Sequence, residues 1–351
     1  MTRGYRVVGV VLAAALALLS LVGCRDSRNL SLGSDGKPTI KLMVGGLEKV
    51  IYLPAMLTQQ LGGFDRAGVH VELLNQPSGA NAETALISGD VQGVVGFYDH
   101  TVDLQAKDQC ITSVVQMANI PGEVVMVATD KADQIRSSAD FKGRKMGITS
   151  LGSSTDFLTK ALAGKAGVSA SEFTPVKVGA GQTFIASLAN GGIDAGMTTD
   201  PTVAQLVQTG QAKVLYDMRT EQGTRDALGG VYPATSLYMS CSIVDRYPEV
   251  VQQLATAFVG TLRWIHEHSP EEIAAAMPPS FAGGDKALYV ESVKDSIGMF
   301  NADGRMSAEG AQNVLTVLSS FSKNVSAHRS MIDLNRTYTT RFVDEAAARL
   351  K

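Results

Sequence analysis

Short apolar runs alternate with amphipathic segments along the chain from residue 40 onward. The apolar run 40–44 predicts a strand, and after a glycine-containing loop the spacing of apolar positions over 53–61 predicts a helix. A second strand is predicted over 69–74, a second helix ends near Leu86, and a third strand covers 91–97. Strands that alternate with helices of this length predict right-handed crossover units and parallel sheets.

The same series of elements occurs a second time in the chain. Strands are predicted over 145–149, 173–178 and 193–197, with a helix over 155–162 and another that ends at Leu188. The two copies match best at "TALISGDVQGVVG" and "ASLANGGIDAGMT", where Leu86, Gly89 and Val91 correspond to Leu188, Gly191 and Ile193. Two copies predict two lobes, and ligands of such sheets bind beyond the carboxyl ends of the strands. We therefore expect a cleft between the lobes.

Two further stretches are placed to carry the chain between the lobes. The apolar run 116–130 is broken by Pro121 and Gly122, and the β-rich run 229–244 follows the second copy. The alternative, two independent domains, predicts a single crossing. A helical C-terminal third completes an α/β fold in which each lobe is a mostly parallel sheet flanked by helices. The predicted division is 38–121 with 238–351 for lobe 1, and 122–237 for lobe 2.

The N-terminus has the pattern of an export signal. Basic residues precede the apolar run 7–22, which is shorter than the roughly 20 residues that a membrane-spanning helix needs. The tetrapeptide that ends at Cys24 resembles a bacterial lipobox. We predict a signal peptide over 1–23, lipid attachment at Cys24, a flexible tether over 24–37 and an extracytoplasmic, membrane-anchored protein. An ordinary secretory signal beside a coincidental cysteine is the alternative.

Composition limits the range of partners. The chain has 31 basic and 34 acidic residues, and this balance argues against nucleic acid, which requires clustered lysine and arginine. Cys110 and Cys241 remain beyond the predicted lipid site, and both lie in apolar, strand-like runs. We expect two buried free thiols rather than a disulfide.

Motifs for catalysis or metal binding are not found in the sequence. The "HEH" at 266–268 lacks the spacing that places two ligands on one helical face. No CxxC, GxSxG or GxxxxGK[ST] occurs. We therefore expect no catalytic residue, no metal and no cofactor.

The loop "SLGSSTDF" over 150–157 is the strongest candidate for ligand contact. Gly152 permits an unusual backbone conformation, and Ser153, Ser154 and Thr155 bring hydroxyls to free N–H groups at a helix start. One hydroxyl suffices for a helix cap, and the loop follows a strand, so ligand contact is favoured over plain capping. Other candidates at strand ends are Lys49, Tyr52, Ser78, Gly79, Asn81, Phe97, Tyr98, Asp99, Gln182, Thr183, Thr199 and Asp200.

Several long stretches resemble one protein family, the substrate-binding proteins of ABC importers in the nitrate, sulfonate and taurine branch, which also contains pyrimidine-precursor binders. The matching stretches are 51–73, 85–96, 140–168, 187–206 and 244–265. The resemblance implies a type II periplasmic binding-protein fold, a monomer that closes on a small molecule, delivery to a membrane permease and no enzymatic activity. It also implies ligand contacts at Gly46, Ser78, Gly79, Tyr98, Ser150, Gly152, Ser153, Ser154, Thr183 and Asp200.

Charge near the predicted cleft departs from what an anionic ligand requires. Asp156 lies in the first turn of the candidate helix, Asp99 and Asp200 flank the cleft, and Lys49 is the nearby cation. A sulfonate, nitrate or taurine receptor is the expected function, and a neutral or amine-bearing heterocycle such as a pyrimidine precursor is the alternative. An enzyme or sensor on this fold is a further alternative, although the cysteine-rich motif of the fungal pyrimidine synthase is absent.

Overall fold

A computed structural model describes residues 30–350, and its strands form two separate sheets. In the first sheet β2 pairs in parallel with β3 and β4, while β11 lies antiparallel between β4 and β5. In the second sheet the order is β10-β6-β9-β7-β8, and β7 is parallel to both of its neighbours. The strands are β1 Ser31–Leu32, β2 Pro38–Val44, β3 His70–Asn75, β4 Gly93–Phe97, β5 Ile111–Gln116, β6 Glu123–Ala128, β7 Lys145–Ile148, β8 Thr174–Lys177, β9 Ala195–Thr199, β10 Ala212–Asp217 and β11 Thr235–Ser240.

Helices cover both sheets. The strands 93–97, 111–116 and 123–128 are therefore buried at every residue, and their sequences are mostly apolar. Several helices begin at a side-chain cap, for example α3 at Ser78 and α11 at Ser269, which forms a capping box with Glu272. The helices are α1 Leu53–Gln60, α2 Gly63–Ala67, α3 Gly79–Ser88, α4 Asp99–Gln105, α5 Ser154–Lys165, α6 Gln182–Ala189, α7 Thr202–Gln208, α8 Glu221–Leu228, α9 Cys241–Arg246, α10 Pro248–Glu267, α11 Pro270–Ala276, α12 Lys286–Ser296, α13 Ala308–Phe321, α14 Lys323–His328 and α15 Arg341–Arg349.

The chain crosses between the lobes twice, and the two crossings lie side by side. The amides of Met117 and Ala118 donate to the carbonyl of Thr235, at 2.7 and 3.0 Å, and the amide of Ala234 donates to the carbonyl of Ala118 at 2.9 Å. The predicted two-lobed α/β fold with two hinge segments is therefore confirmed, and a single crossing is excluded.

Two details of the predicted division need correction. The return to lobe 1 was placed at residue 238, yet β11 pairs with β4 from Thr235 onward, so that boundary falls inside a strand. Ser31 and Leu32 lie within the predicted tether, but they pair with Thr39 and Pro38 as a short antiparallel strand. The rest of the tether before residue 30, the signal peptide and the lipid site at Cys24 lie outside the described residues.

The C-terminal helices do not all belong to the first lobe. The core around the first sheet includes α10, α12 and α15. By contrast, Val314 and Leu318 of α13 share a core with Leu158 and Leu162 of α5, which belongs to the second lobe. That core also contains Val102 of α4. Helix α13 thus packs against both lobes on the side where they approach each other.

Cys110 and Cys241 form a disulfide, so the expectation of two buried free thiols is wrong. Their Cα atoms are 5.5 Å apart, within the range that a disulfide spans. Cys110 directly precedes β5 and Cys241 directly follows β11, and these neighbouring antiparallel strands bring the two side chains together. Cys110 is also exposed rather than buried. Within residues 30–350, no helix is both long enough and apolar enough to cross a membrane.

Candidate functional site

The two lobes are in direct contact at the carboxyl ends of their strands, which closes the predicted cleft. Ser150 of lobe 2 donates its hydroxyl hydrogen to the Ser78 hydroxyl of lobe 1 at 2.9 Å. The amide of Val50 donates to the carbonyl of Asp200 at 3.0 Å, again from lobe 1 to lobe 2. All four residues are buried. The facing polar loops therefore meet in a buried junction between the lobes, and this junction is here called the enclosed site.

Glu123 lies in the wall of this enclosed site, at the first residue of β6 directly after the chain has crossed between the lobes. Its side chain is 2% exposed, and Oε1 accepts a hydrogen bond of 3.0 Å from the Ser154 hydroxyl. Among residues 30–350 no group hydrogen-bonds to Oε2. Burial raises the pKa of Glu123 to about 8, and the nearby charge of Asp99 raises it as well.

Asp99 is the second buried carboxyl group, at the start of α4 where β4 has just ended. It is fully buried, and Oδ2 accepts a hydrogen bond of 2.9 Å from the Tyr232 hydroxyl. In the described part of the chain Oδ1 has no hydrogen-bond partner. Burial raises the pKa of Asp99 to about 7, against the lowering effect of the Tyr232 hydrogen bond. The two lobes thus contribute one buried carboxyl group each.

Lys49 is the buried cation of this region. Its Nζ donates to the carbonyl of Gly45 at 2.7 Å and to that of Pro77 at 3.1 Å. Burial lowers the pKa of Lys49 to about 8, and the charges of Glu48 and Glu123 act in the opposite direction. Backbone carbonyls of lobe 1 hold the ammonium group. This part of the site therefore contains two carboxyl groups, those of Glu123 and Asp99, and one lysine.

His100 contributes to the contact between the lobes without being charged. Its side chain is fully buried, burial lowers its pKa to about 3, and Nδ1 lies 3.2 Å from the Tyr238 hydroxyl. The ring meets Phe157 of lobe 2 edge to face, with centroids 5.9 Å apart. A Cβ at Gly79 would lie 2.7 Å from His100 Cε1, so the absence of a side chain at residue 79 lets the ring fit.

The hydroxyls of the loop 149–155 have different roles. Ser153 donates to the carbonyl of Ser150 at 2.7 Å and accepts from the Thr149 hydroxyl at 2.8 Å, and it also contacts the Thr155 hydroxyl. Its side chain therefore stabilises the loop itself. Ser154 directs its hydroxyl to Glu123 instead. Ser153 stands at the N-cap of α5 without a side-chain cap hydrogen bond, so plain capping does not account for its hydroxyl, and ligand contact by this loop stays a prediction.

Asp156 is compensated, contrary to the charge argument from sequence. Lys160, one helical turn further along α5, lies 2.7 Å from Asp156 Oδ2, and the amide of Gly152 donates to the same oxygen at 2.9 Å. Gly152 has a φ of 78°, which suits a residue without Cβ. The helix start therefore already contains an internal anion and its counter-ion.

The family resemblance implies ten ligand-contact residues. Seven of them lie on the facing loops of the two lobes, and three make other contacts. Tyr98 bonds through its hydroxyl to Thr337, and Thr183 is exposed and donates to the carbonyl of Ala180 at 2.9 Å. Asp200 is buried and bonds to Arg219 and Ser296. The remaining predicted residues lie along the facing loops of the two lobes: Gly46, Ser78, Gly79, Ser150, Gly152, Ser153 and Ser154.

Glu123 and Tyr232 were missed by the sequence analysis. Both stand in the runs 116–130 and 229–244, which were interpreted only as crossings between lobes. A charged residue inside an apolar run is a signal of a buried, functional or paired charge, and Glu123, which directly precedes the apolar stretch 124–128, fits that description. Among residues 30–350, no group of histidine, cysteine, aspartate and glutamate side chains has an arrangement suited to a metal ion.

The different contacts of Ser153 and Ser154 give a first prediction. We expect Ser153→Ala to lower the free energy of unfolding by about 1 kcal/mol, because it removes hydrogen bonds inside a buried loop. Ser154→Ala should cost a similar free energy of unfolding but weaken ligand binding more, since its hydroxyl positions the Glu123 carboxyl group whose Oε2 has no partner among residues 30–350. Thermal melting and titration calorimetry on both variants measure this, and equal losses of ligand affinity in the two variants would contradict it.

Comparisons with known proteins agree with the two-lobed fold. Residues 52–273 match the family model described as NMT1/THI5 like. A protein of known structure from Bordetella bronchiseptica RB50 is 31% identical with a TM-score of 0.85, over 89% of this chain and 98% of that one. The alkanesulfonate-binding protein of Xanthomonas axonopodis pv. citri, bound to MOPS, superposes with a TM-score of 0.66 at 17% identity, over 88% and 97% of the two chains.

One curated relative is an enzyme. The 4-amino-5-hydroxymethyl-2-methylpyrimidine phosphate synthase of Schizosaccharomyces pombe is 30% identical over 147 residues, which are 42% of this chain and 40% of the synthase. The match thus spans less than half the length of that relative. The family model covers more than half of this chain, and the low-identity structural neighbour shares its two-lobed fold. The chain therefore belongs to the NMT1/THI5-like family and has the fold of a periplasmic binding protein.

Proposed function

We propose that the protein is the solute-binding receptor of an ABC importer, which captures a small polar molecule between its lobes and delivers it to a membrane permease. The observation that carries this proposal is the enclosed polar site, formed by facing loops of two lobes that are joined by two adjacent hinge segments. Such a hinge allows the lobes to open for entry and to close around a ligand. The family resemblance supports the same interpretation.

The remaining parts of the proposal follow from the sequence. We place the protein outside the cytoplasm, as a monomer anchored through a lipid on Cys24 and with no catalytic activity of its own. A sulfonate, nitrate or taurine is one class of ligand for this branch, and a pyrimidine precursor or another nitrogen heterocycle is the other. The similarity to the synthase favours a catalytic role as the second candidate function, and the experiment below separates the two.

Titration calorimetry with X-ray scattering tests the receptor function. We expect one molecule of ligand to bind per chain, and bound protein to be more compact than free protein, because the lobes close. Micromolar affinity corresponds to about 8 kcal/mol of binding free energy. At about 100 times the dissociation constant, the ligand should stabilise the protein by about 2.7 kcal/mol in thermal melting.

The same samples are analysed for chemical change in the ligand. Recovery of the unchanged molecule after prolonged incubation supports a receptor. Continuous conversion of the bound molecule into a product would contradict it and would favour the catalytic alternative.

A further inference from the structure

We infer that the ligand presents a cationic nitrogen group, a protonated amine or an amidinium, to the carboxyl groups of Glu123 and Asp99. This inference rests on the proposed receptor function and names the chemical class of its ligand. Four observations support it: two buried oxygens without a partner, the occupied start of α5, the balance of charge in the site, and the position of both carboxyl groups at the junction of the lobes.

The first observation is the pair of unpartnered oxygens. Glu123 Oε2 and Asp99 Oδ1 are buried, and neither has a hydrogen-bond partner among residues 30–350. Asp99 Oδ1 lies 3.8 Å from His100 Nε2, too far for a hydrogen bond. A buried acceptor without a donor is costly, and native structures rarely retain one without a reason. In each residue the other carboxyl oxygen accepts a hydrogen bond, from Ser154 and from Tyr232 respectively. These bonds fix the two carboxyl groups and leave one free acceptor on each.

The second observation concerns the N-terminus of α5, where an anionic ligand would be expected to bind. Ser154, the first residue of α5, is bonded to Glu123, and Asp156 accepts from the Gly152 amide. The positive end of the helix dipole is therefore already close to two carboxyl groups. The Ser154 hydroxyl and the Gly152 amide are already used by Glu123 and Asp156, and an incoming sulfonate or nitrate would have to displace these bonds.

The third observation is the balance of charge. Lys160 pairs with Asp156 and Arg219 pairs with Asp200, although Asp156 Oδ1 is buried without a hydrogen-bond partner in the described part of the chain. Lys49 is close enough to Glu123 to lower its pKa, but the Lys49 ammonium already donates to two backbone carbonyls. A cationic group of the ligand beside Glu123 and Asp99 would favour their charged forms over the neutral forms that burial favours.

The fourth observation is position. Glu123 begins a strand of lobe 2 beside the first hinge crossing, and Asp99 begins α4 at the end of a strand of lobe 1. Tyr232, which holds Asp99, stands in the second crossing just before Ala234. A cationic group that bridges the two carboxyl groups would therefore contact both lobes beside the hinge, and binding would favour the closed arrangement.

Titration calorimetry with defined probes tests this inference. Benzamidine and propylamine represent the cationic class, and ethanesulfonate and nitrate represent the anionic class. We expect the cationic probes to bind the wild-type protein with one site per chain and the anionic probes not to bind. Glu123→Gln should weaken binding of the cationic probes about tenfold or more, because an amide nitrogen replaces the free acceptor.

Two controls separate a loss of recognition from a loss of folding. Glu48→Gln makes the same chemical change at an exposed residue next to Lys49 and should alter affinity by no more than about twofold. The ligand-free Glu123→Gln protein should melt close to the wild-type temperature, because glutamine has nearly the same size and its amide oxygen can still accept from Ser154.

The possible outcomes distinguish this inference from the proposed function. Binding of ethanesulfonate or nitrate with no binding of either cationic probe would overturn the cationic class and leave the receptor function intact. Unchanged affinity of Glu123→Gln for the cationic probes would overturn the role of Glu123. Conversion of a bound probe into product would count against the receptor itself, whichever class binds.

Discussion

Replacing both Cys110 and Cys241 by serine should lower the free energy of unfolding by about 4 kcal/mol, because the disulfide closes a very long loop. The two residues are separated by 131 positions, and the segment between them contains the whole second sheet. The disulfide joins the start of β5 to the end of β11, at the ends of these lobe 1 strands that lie away from the crossings between the lobes. Without that bond the ends are held by the pairing of β5 with β11 and by the hydrogen bonds between the hinge crossings.

Denaturant unfolding in the presence and absence of a reducing agent measures this effect. Wild-type protein should lose most of the same stability when it is reduced, whereas the double serine variant should not respond to the reducing agent. The variant thus serves as its own control for other effects of the reductant. A double serine variant as stable as the oxidised wild type would contradict the prediction.

The framework of the fold was predictable because it depends on local periodicity. Strands and helices of both copies were expected at nearly the positions where they occur, for example 53–61 against the observed Leu53–Gln60, and 145–149 against Lys145–Ile148. Buried parallel strands give continuous apolar runs, and their helices give a helical period, so each type is visible in the sequence. The repeat of the series then indicated two lobes.

The partners of particular side chains were less predictable. The sequence showed that Tyr98 and Asp200 follow strands, but it did not show that Tyr98 turns toward Thr337 or that Asp200 pairs with Arg219. Such contacts join residues that are distant in the chain, and periodicity carries no information about them. The Lys160 partner of Asp156 is different, because a spacing of four residues in a helix places two side chains side by side.

The disulfide and the role of Glu123 could not be predicted from the sequence, for related reasons. The β11 strand lies antiparallel between two strands of the first sheet, an arrangement that joins the ends of a long segment and has no local signature. Glu123 stands in the run of residues that crosses between lobes, where an apolar pattern indicated a connection only. The disulfide, at the far end of β5 and β11, and Glu123, directly after a crossing, both depend on contacts that only the three-dimensional arrangement reveals.

Replacing Arg219 by methionine should lower the free energy of unfolding by about 3 kcal/mol at neutral pH, because it leaves a buried carboxylate without its counter-ion. Arg219 lies 3.0 Å from Asp200 Oδ2, 2.7 Å from Asp217 and 3.0 Å from Asp295. Asp200 is fully buried, and burial raises its pKa even though Arg219 and Ser296 lower it. Without Arg219 the pKa of Asp200 should rise further.

The pH dependence of this loss follows from the sign of the shift. An aspartate whose pKa is raised by folding destabilises the folded state above its unfolded pKa of about 3.9, and the penalty disappears below that value as both states bind the proton. The difference between wild type and Arg219→Met should therefore be large at pH 7 and small near pH 4. Unfolding curves at both pH values measure it, and a difference independent of pH would contradict the electrostatic cause.

Two further variants test whether the loss of stability in Arg219→Met arises at Asp200. Asp295→Asn removes the more exposed partner, whose side chain is 39% exposed, and should cost no more than about 1 kcal/mol. Adding Asp200→Asn to Arg219→Met should restore part of the lost stability, because the amide needs no counter-ion.

Arg219→Met should also weaken ligand binding, although Arg219 is not part of the enclosed site. Asp200 accepts from the Val50 amide and from the Ser296 hydroxyl of lobe 1, at 3.0 and 2.9 Å, so it joins the lobes in the closed arrangement. An Asp200 carboxylate without a counter-ion is more stable in contact with solvent than when buried. The variant should therefore favour the arrangement with open lobes. In the variant, ligand binding must supply the part of the free energy of closure that the Arg219–Asp200 ion pair contributes in the wild-type protein. Scattering curves of the ligand-saturated variant should show a less compact protein than wild type, and identical curves with identical affinity would limit Arg219 to a role in lobe 2 alone.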